Sequence, residues 1–272
     1  MHSPISTAES PSLSEAGKGR LLSKFGEPFF LARWDRAVFI NYRADPEILQ
    51  RAVPFPLDLR DGAAFVSIVA FTLVRMRPRL GGGPAEWLTS PIGTHEFLNV
   101  RTYVRYRGEP GIFFLAEWLP NRLSVFLGPR TFGLPYRFGQ LRYEHDRAGD
   151  SLRGEVEAPE GRLCYDAAAM ENRFVPCEPG SLDEFMLERY TAFTQRGKRR
   201  RLFRIWHQPW MQSSISCDVS DSSLIASTGN WWQTAQLISA NYSPGVEVWM
   251  GRPHRIRDYF AAATSPSSAQ RA

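Results

Sequence analysis

Two stretches of this chain hold side chains that could do chemistry. The first, His95-Glu96-Phe97-Leu98-Asn99-Val100-Arg101-Thr102-Tyr103-Val104, alternates in the manner of a long strand and carries one carboxylate, Glu96, in phase with Leu98, Val100 and Val104. A carboxylate on an apolar face needs a cation, hydrogen-bond donors or a raised pKa, which is the profile of a general acid/base or of a ligand anchor. The second, Gly128-Pro129-Arg130-Thr131-Phe132-Gly133-Leu134-Pro135-Tyr136-Arg137, reads as a sharp strand-to-helix corner presenting Tyr136 and Arg137. A phenol can donate a hydrogen bond to a bound carbonyl, and Arg130 and Arg137 can each take a carboxylate. Arg101 lies out of phase with Glu96. If the opposite face of the strand lines a cavity, Asn99, Arg101 and Tyr103 line it instead. His207, beside Pro209 and Trp210, is a further restrained imidazole, fit for catalysis or for capping the core.

Other chemistries lack their residues. Of the 33 basic residues only three are lysine, Lys18, Lys24 and Lys198, and none falls in an apolar segment. A buried amine for Schiff-base chemistry is therefore disfavoured. Cys164, Cys177 and Cys217 are an odd set without C-x-x-C spacing, which speaks against a disulfide framework or a thiolate metal site. No H-x-x-x-H pair, Walker loop, G-x-G-x-x-G or G-x-S-x-G is present, so neither a metal nor a cofactor is expected. The net charge of +5 is modest for 272 residues, and the basic run Lys198 to Arg201 is short, so nucleic acid is not an expected partner. The longest apolar run, Ala63 to Val74, is too short to span a bilayer, and no apolar leader core precedes the body. A soluble, cytoplasmic protein is the expectation, with a homo-oligomer left open.

The elements that must position these groups are mainly strands. Strands are expected over 37–43, 63–77, 95–107, 112–118, 122–127, 140–146, 151–158, 213–219, 224–227 and 245–250. Gly108-Glu109-Pro110-Gly111 and Arg147-Ala148-Gly149-Asp150 serve as hairpin turns. Asp45-Pro46 starts a short helix, and Ser181 with Glu184 caps a longer one whose stripe is Leu182, Phe185, Met186, Tyr190 and Phe193. Gly81-Gly82-Gly83-Pro84 reads as a loop able to cover a cavity mouth. Residues 1–24 and 259–272 read as disordered tails flanking one domain over 25–258. The fold class is α+β and β-rich, with a curled or closed sheet that protects its edges.

Several separate motifs, in order from about residue 25 to 256, resemble the uncharacterised YqjF-like bacterial proteins: Glu96 to Val104, Gly108 to Phe114, Gly133-Leu134-Pro135-Tyr136, Ser181 to Phe185 with Glu188-Arg189-Tyr190, His207-Gln208-Pro209-Trp210, and Tyr242 to Val248. That family is similar in turn to acetoacetate decarboxylase, which implies a curled antiparallel barrel around a buried cavity. The resemblance does not carry the activity. Where the decarboxylase has a Schiff-base lysine followed by a second lysine, this chain has Tyr136 and Arg137, and neither forms an imine at neutral pH. The resemblance also implies that Glu96 keeps one cavity glutamate and that Ser67 replaces another. The expectation is a small-molecule cavity protein handling a carbonyl or carboxylate compound by non-covalent acid/base chemistry. A carrier or sensor with the same cavity is the alternative.

Overall fold

The computed structural model describes residues 12–146, 148–171 and 173–257. In chain order the elements are α1 (Leu13–Leu22), β1 (Phe30–Ala44), α2 (Pro46–Ala52), β2 (Ala64–Pro78), α3 (Gly82–Gly93), β3 (His95–Tyr106), β4 (Glu109–Leu119), α4 (Arg122–Thr131), β5 (Tyr136–Phe138) and β6 (Gln140–His145). There follow β7 (Leu152–Ala158), β8 (Gly161–Ala169), β9 (Val175–Pro176), α5 (Leu182–Leu187), β10 (Thr191–Arg196), β11 (Arg199–His207), β12 (Met211–Asp221), α6 (Ser223–Ala226), β13 (Gln236–Met250) and β14 (His254–Arg255).

One sheet links the strands in the order β14-β11-β10-β4-β3-β2-β1-β13-β12-β8-β7-β6. It curls until β11 also meets β13, through Ile205↔Met250, Trp206↔Trp249 and His207↔Val248. The fold is thus a curled, mostly antiparallel sheet with a closed ring of seven strands, as expected, and not a regular up-and-down barrel. Two short pairings, β10–β4 and β4–β5, are parallel.

The ring strands are buried on both faces. One face packs Ile40, Ile68, Leu98, Val100, Val104 and Trp118 against β6–β8 and the α6 region. The other packs Phe39, Val69, Phe71, Phe97, Phe114 and Leu134 against α5 and Trp210. Such strands read as nearly continuous apolar runs, and Ala63 to Val74 is of this kind.

Several local expectations are corrected. Residues 122–127 are the start of α4, because the Asn121 side chain accepts the Ser124 N–H at 2.9 Å and caps a helix the apolar run did not announce. Residues 224–227 fall in and just after α6, and Gly82–Gly93 is helix where a loop was expected. The helix capped by Ser181 ends at Leu187. Its presumed stripe continues into other elements, since Tyr190 precedes β10 and Phe193 lies on it. The tail expected over residues 1–24 includes α1, held by a full Ser12/Glu15 capping box. Leu21 of α1 is fully buried with Tyr190 and Trp206, and Gly17 passes so close to Tyr190 that a Cβ there would stand 2.6 Å from the ring. The tail expected over 259–272 lies outside the described residues. No described helix is long and apolar enough to cross a membrane.

Candidate functional site

Register decides which side chains meet. Along β2 and β3 the pairs Leu73↔His95, Phe71↔Phe97, Val69↔Asn99 and Ser67↔Arg101 share one face. Asn99 is opposite Glu117 of β4, and Glu117 is opposite Tyr136 of β5. His95, Phe97, Asn99, Arg101, Glu117 and Tyr136 therefore look the same way, and Glu96 looks the other.

A pocket of about 550 Å³ opens on this face, a volume in the range of small-molecule sites. Its walls are apolar: Phe29, Phe30, Leu73, Phe97, Leu134 and Phe203 among them, with Ile92 of α3 and Leu127 of α4. Its polar groups are few, namely His95, Ser124, Thr131, Tyr136 and Arg252. Gly128 explains how Tyr136 fits, because a Cβ at that position would stand 2.3 Å from the phenol ring. The glycine of the expected corner is thus a bed for the aromatic ring, on a helix in place of a strand.

The electrostatics favour neutral groups. Burial pushes the His95 imidazole below 6.5, partly offset by its contact with the Glu96 carbonyl. His95 Nδ1 lies 3.2 Å from that carbonyl oxygen, which can only accept, so Nδ1 carries the proton and Nε2 is left as an acceptor. Ser124 Oγ lies 3.4 Å from Nε2. Burial and then the nearby Glu117 hold the Tyr136 phenol well above its ordinary 10.0, so it stays a donor. Burial alone raises the Glu117 carboxyl well above 4.5. Glu117 is 4% exposed, and its Oε2 has no hydrogen-bond partner among the described residues.

Deeper on the same face lies a polar belt. Ser67 Oγ donates to Asn41 Oδ1 at 2.6 Å and contacts the Tyr103 hydroxyl, Asn41 Nδ2 donates to Asn241 Oδ1 at 2.9 Å, and Asn241 Nδ2 donates to Gln212 Oε1 at 2.9 Å. Arg101 is buried beside it, with Nη2 donating to the Met186 carbonyl at 3.1 Å and the guanidinium 5.6 Å from the centre of the Phe39 ring.

The expected site residues divide accordingly. Tyr136 lines the pocket, and Ser67 and Arg101 share its face in the deeper belt. His207 is fully buried, donates from Nδ1 to the Gln208 carbonyl at 2.7 Å and is pushed down to about 4 by burial, so it caps the core as a neutral imidazole. Glu96 is corrected to the opposite face, where it is half-buried near the Tyr143 phenol. The reason is that Leu98 and Val100, used to point it inward, face a solid core. Arg137 also faces away, stacked over Trp118 and 3.6 Å from Glu160. Arg130 is exposed, lies on the Phe126 ring at 3.7 Å and edges a separate basic concavity with Arg196, Lys198, Arg199 and Arg201. Sequence reasoning missed His95, Ser124, Glu117 and Arg252. Strand phase ties His95 to Asn99, Arg101 and Tyr103, so the alternative reading of that strand carried the only signal. Among the described residues no group of three His, Cys, Asp or Glu side chains is placed to hold a metal ion.

A family of uncharacterized conserved proteins, DUF2071, matches residues 31–247 of the chain. The chain belongs to the DUF2071 family. Among curated proteins this member is 31% identical over 194 residues to the uncharacterized protein YqjF of Bacillus subtilis, covering 69% of this chain and 76% of that one. It is 29% identical over 118 residues to an acetoacetate decarboxylase of Streptomyces nogalater, covering 43% and 41% of the two chains. An acetoacetate decarboxylase-like enzyme from Sphingomonas wittichii superimposes with a TM-score of 0.59 at 14% identity, over 85% of this chain and 93% of that one. The enduracididine biosynthesis enzyme MppR complexed with pyruvate does so with a TM-score of 0.58 at 15% identity, over 87% and 94%. The DUF2071 member therefore has the acetoacetate decarboxylase-like fold.

Proposed function

We propose that the pocket bounded by β3, α4 and Tyr136 binds a small, largely apolar molecule by its carbonyl or carboxylate group. One observation carries the reading: an apolar chamber of about 550 Å³ in which the polar groups at the reacting end are a neutral phenol, a neutral imidazole and a hydroxyl. Tyr136 donates to the ligand's oxygen, and His95 Nε2 is the acceptor that can take a proton. Arg252, whose backbone N–H is fixed by Glu27 Oε1 at 2.9 Å, contacts a carboxylate at the pocket edge. The chain's three lysines are not among the lining residues, so the chemistry proceeds without an imine. The likeness to MppR complexed with pyruvate supports a ligand that carries a carbonyl or carboxylate group.

The test is calorimetric titration with short-chain carboxylates and methyl ketones. Wild type binds. Tyr136→Phe weakens binding by about tenfold, the equivalent of one net hydrogen bond. Leu127→Trp, which fills the chamber, abolishes binding. Binding that ignores both substitutions, or no binding by any probe, overturns the proposal. Exchange of the bound ketone's α-protons with deuterated water, followed by NMR, separates acid/base catalysis from carriage.

A further inference from the structure

Ser124 and His95 form a pair whose mutual contact the binding reading leaves unused. They come from different elements, the first turn of α4 and the first residue of β3, yet Ser124 Oγ lies 3.4 Å from His95 Nε2 and both line the pocket. Each is 7% exposed. The ring is held from behind, because Nδ1–H is directed at the Glu96 carbonyl at 3.2 Å. That contact selects the tautomer whose Nε2 lone pair faces the hydroxyl. Ser124 is held in turn by the Asn121 cap, which takes its backbone N–H at 2.9 Å. A nucleophile, a base within loose hydrogen-bond reach and a third group orienting the base are the parts of an activated serine, and such contacts tighten when substrate excludes water. Phe97 lies between the histidine and the phenol, its ring tilted against that of His95 at 4.9 Å between centres and edge-on to that of Tyr136 at 5.5 Å. One apolar wall thus carries base and hydrogen-bond donor on either side of a single ring.

We propose that Ser124 and His95 are a nucleophilic dyad that cleaves esters or thioesters of small apolar acids, with Tyr136 as donor to the developing oxyanion. This rests on the binding pocket described above and names its substrate class. Ser124 Oγ attacks the acyl carbonyl carbon while its proton passes to His95 Nε2. The tetrahedral intermediate collapses, the bond to the alcohol or thiol breaks, and the leaving group takes that proton from His95. Water then attacks the acyl-serine with His95 as base, releasing the acid and restoring the hydroxyl. A phenol held well above its ordinary pKa stays protonated throughout and can serve the oxyanion in both halves.

The experiment treats the full-length protein with an alkyl fluorophosphonate, which captures activated serines, followed by intact mass and peptide mapping. One adduct on Ser124 is expected. Mapping locates the label on wild type, so the result does not depend on whether a variant folds. With p-nitrophenyl butyrate, kcat/KM falls at least about a hundredfold in Ser124→Ala and in His95→Gln. In wild type it rises with pH to a plateau, with a midpoint below 6.5 set by the imidazole. No adduct, or an adduct elsewhere, overturns the dyad. If short-chain carboxylates still bind in that case, the pocket proposal stands alone, and if they do not, both fall.

Discussion

Replacing Glu117 with glutamine should stabilise this protein, and by an amount that depends on pH. The carboxyl is 4% exposed, one of its oxygens has no hydrogen-bond partner among the described residues, and burial raises its pKa well above 4.5. A group whose pKa is raised on folding adds stability that is complete below its unfolded value and is lost as pH rises through the folded one. The loss is about 1.4 kcal/mol for each pH unit in that window. Between pH 4.5 and pH 7.5 the ceiling is about 4 kcal/mol, reached if Glu117 stays protonated in the fold throughout. Glutamine keeps the shape and does not titrate. The difference in unfolding free energy between Glu117→Gln and wild type should therefore climb with pH at up to that slope, starting from its value at pH 4.5. Urea unfolding of both proteins at pH 4.5, 6.0 and 7.5, read by tryptophan fluorescence, measures it. A difference that is flat with pH would refute the reasoning, because it would mean that the carboxylate ionises in the fold as easily as in water. The same substitution removes the charge that helps to raise the Tyr136 phenol, so a shift of the Tyr136 titration toward 10.0 is a second readout.

Three further outcomes are expected. His207 is pushed down to about 4 by burial, so its contribution to stability is present above 6.5 and lost as pH falls toward 4, about 3 kcal/mol in all; His207→Gln should flatten that part of the urea-midpoint profile. Gly128→Ala sets a methyl 2.3 Å from the Tyr136 ring, which should cost about 1–3 kcal/mol in unfolding free energy and weaken carboxylate binding; the same substitution made in a Tyr136→Ala background, where the ring is gone, should cost next to nothing further. Deleting residues 1–23 uncovers the Leu21 site and leaves the Trp206 indole N–H without its Ser14 partners; a loss of at least about 2 kcal/mol and a red shift of tryptophan emission should follow.

The β-rich class, the turns around Gly108 and the caps at Asp45 and Ser181 are set by local chemistry, and they were legible from composition and spacing alone. So was the scarcity of lysine, and none of the three lines the pocket. The phase of 95–104 was also legible: it states correctly that Glu96 keeps company with Leu98 and Val100, and Asn99 with Arg101. Which company meets the pocket was not, because ring strands packed on both faces are apolar on both and hydrophobicity carries no direction. Tertiary structure decided that, and with it the places of Glu96, Arg130 and Arg137. It alone brought His95 to Ser124 across 29 residues, by turning 122–127 into a helix through the Asn121 cap, and set Glu117 beside Tyr136 through a parallel pairing no local pattern encodes. Contacts between distant segments depend on register and packing, and these are settled only when the whole sheet closes.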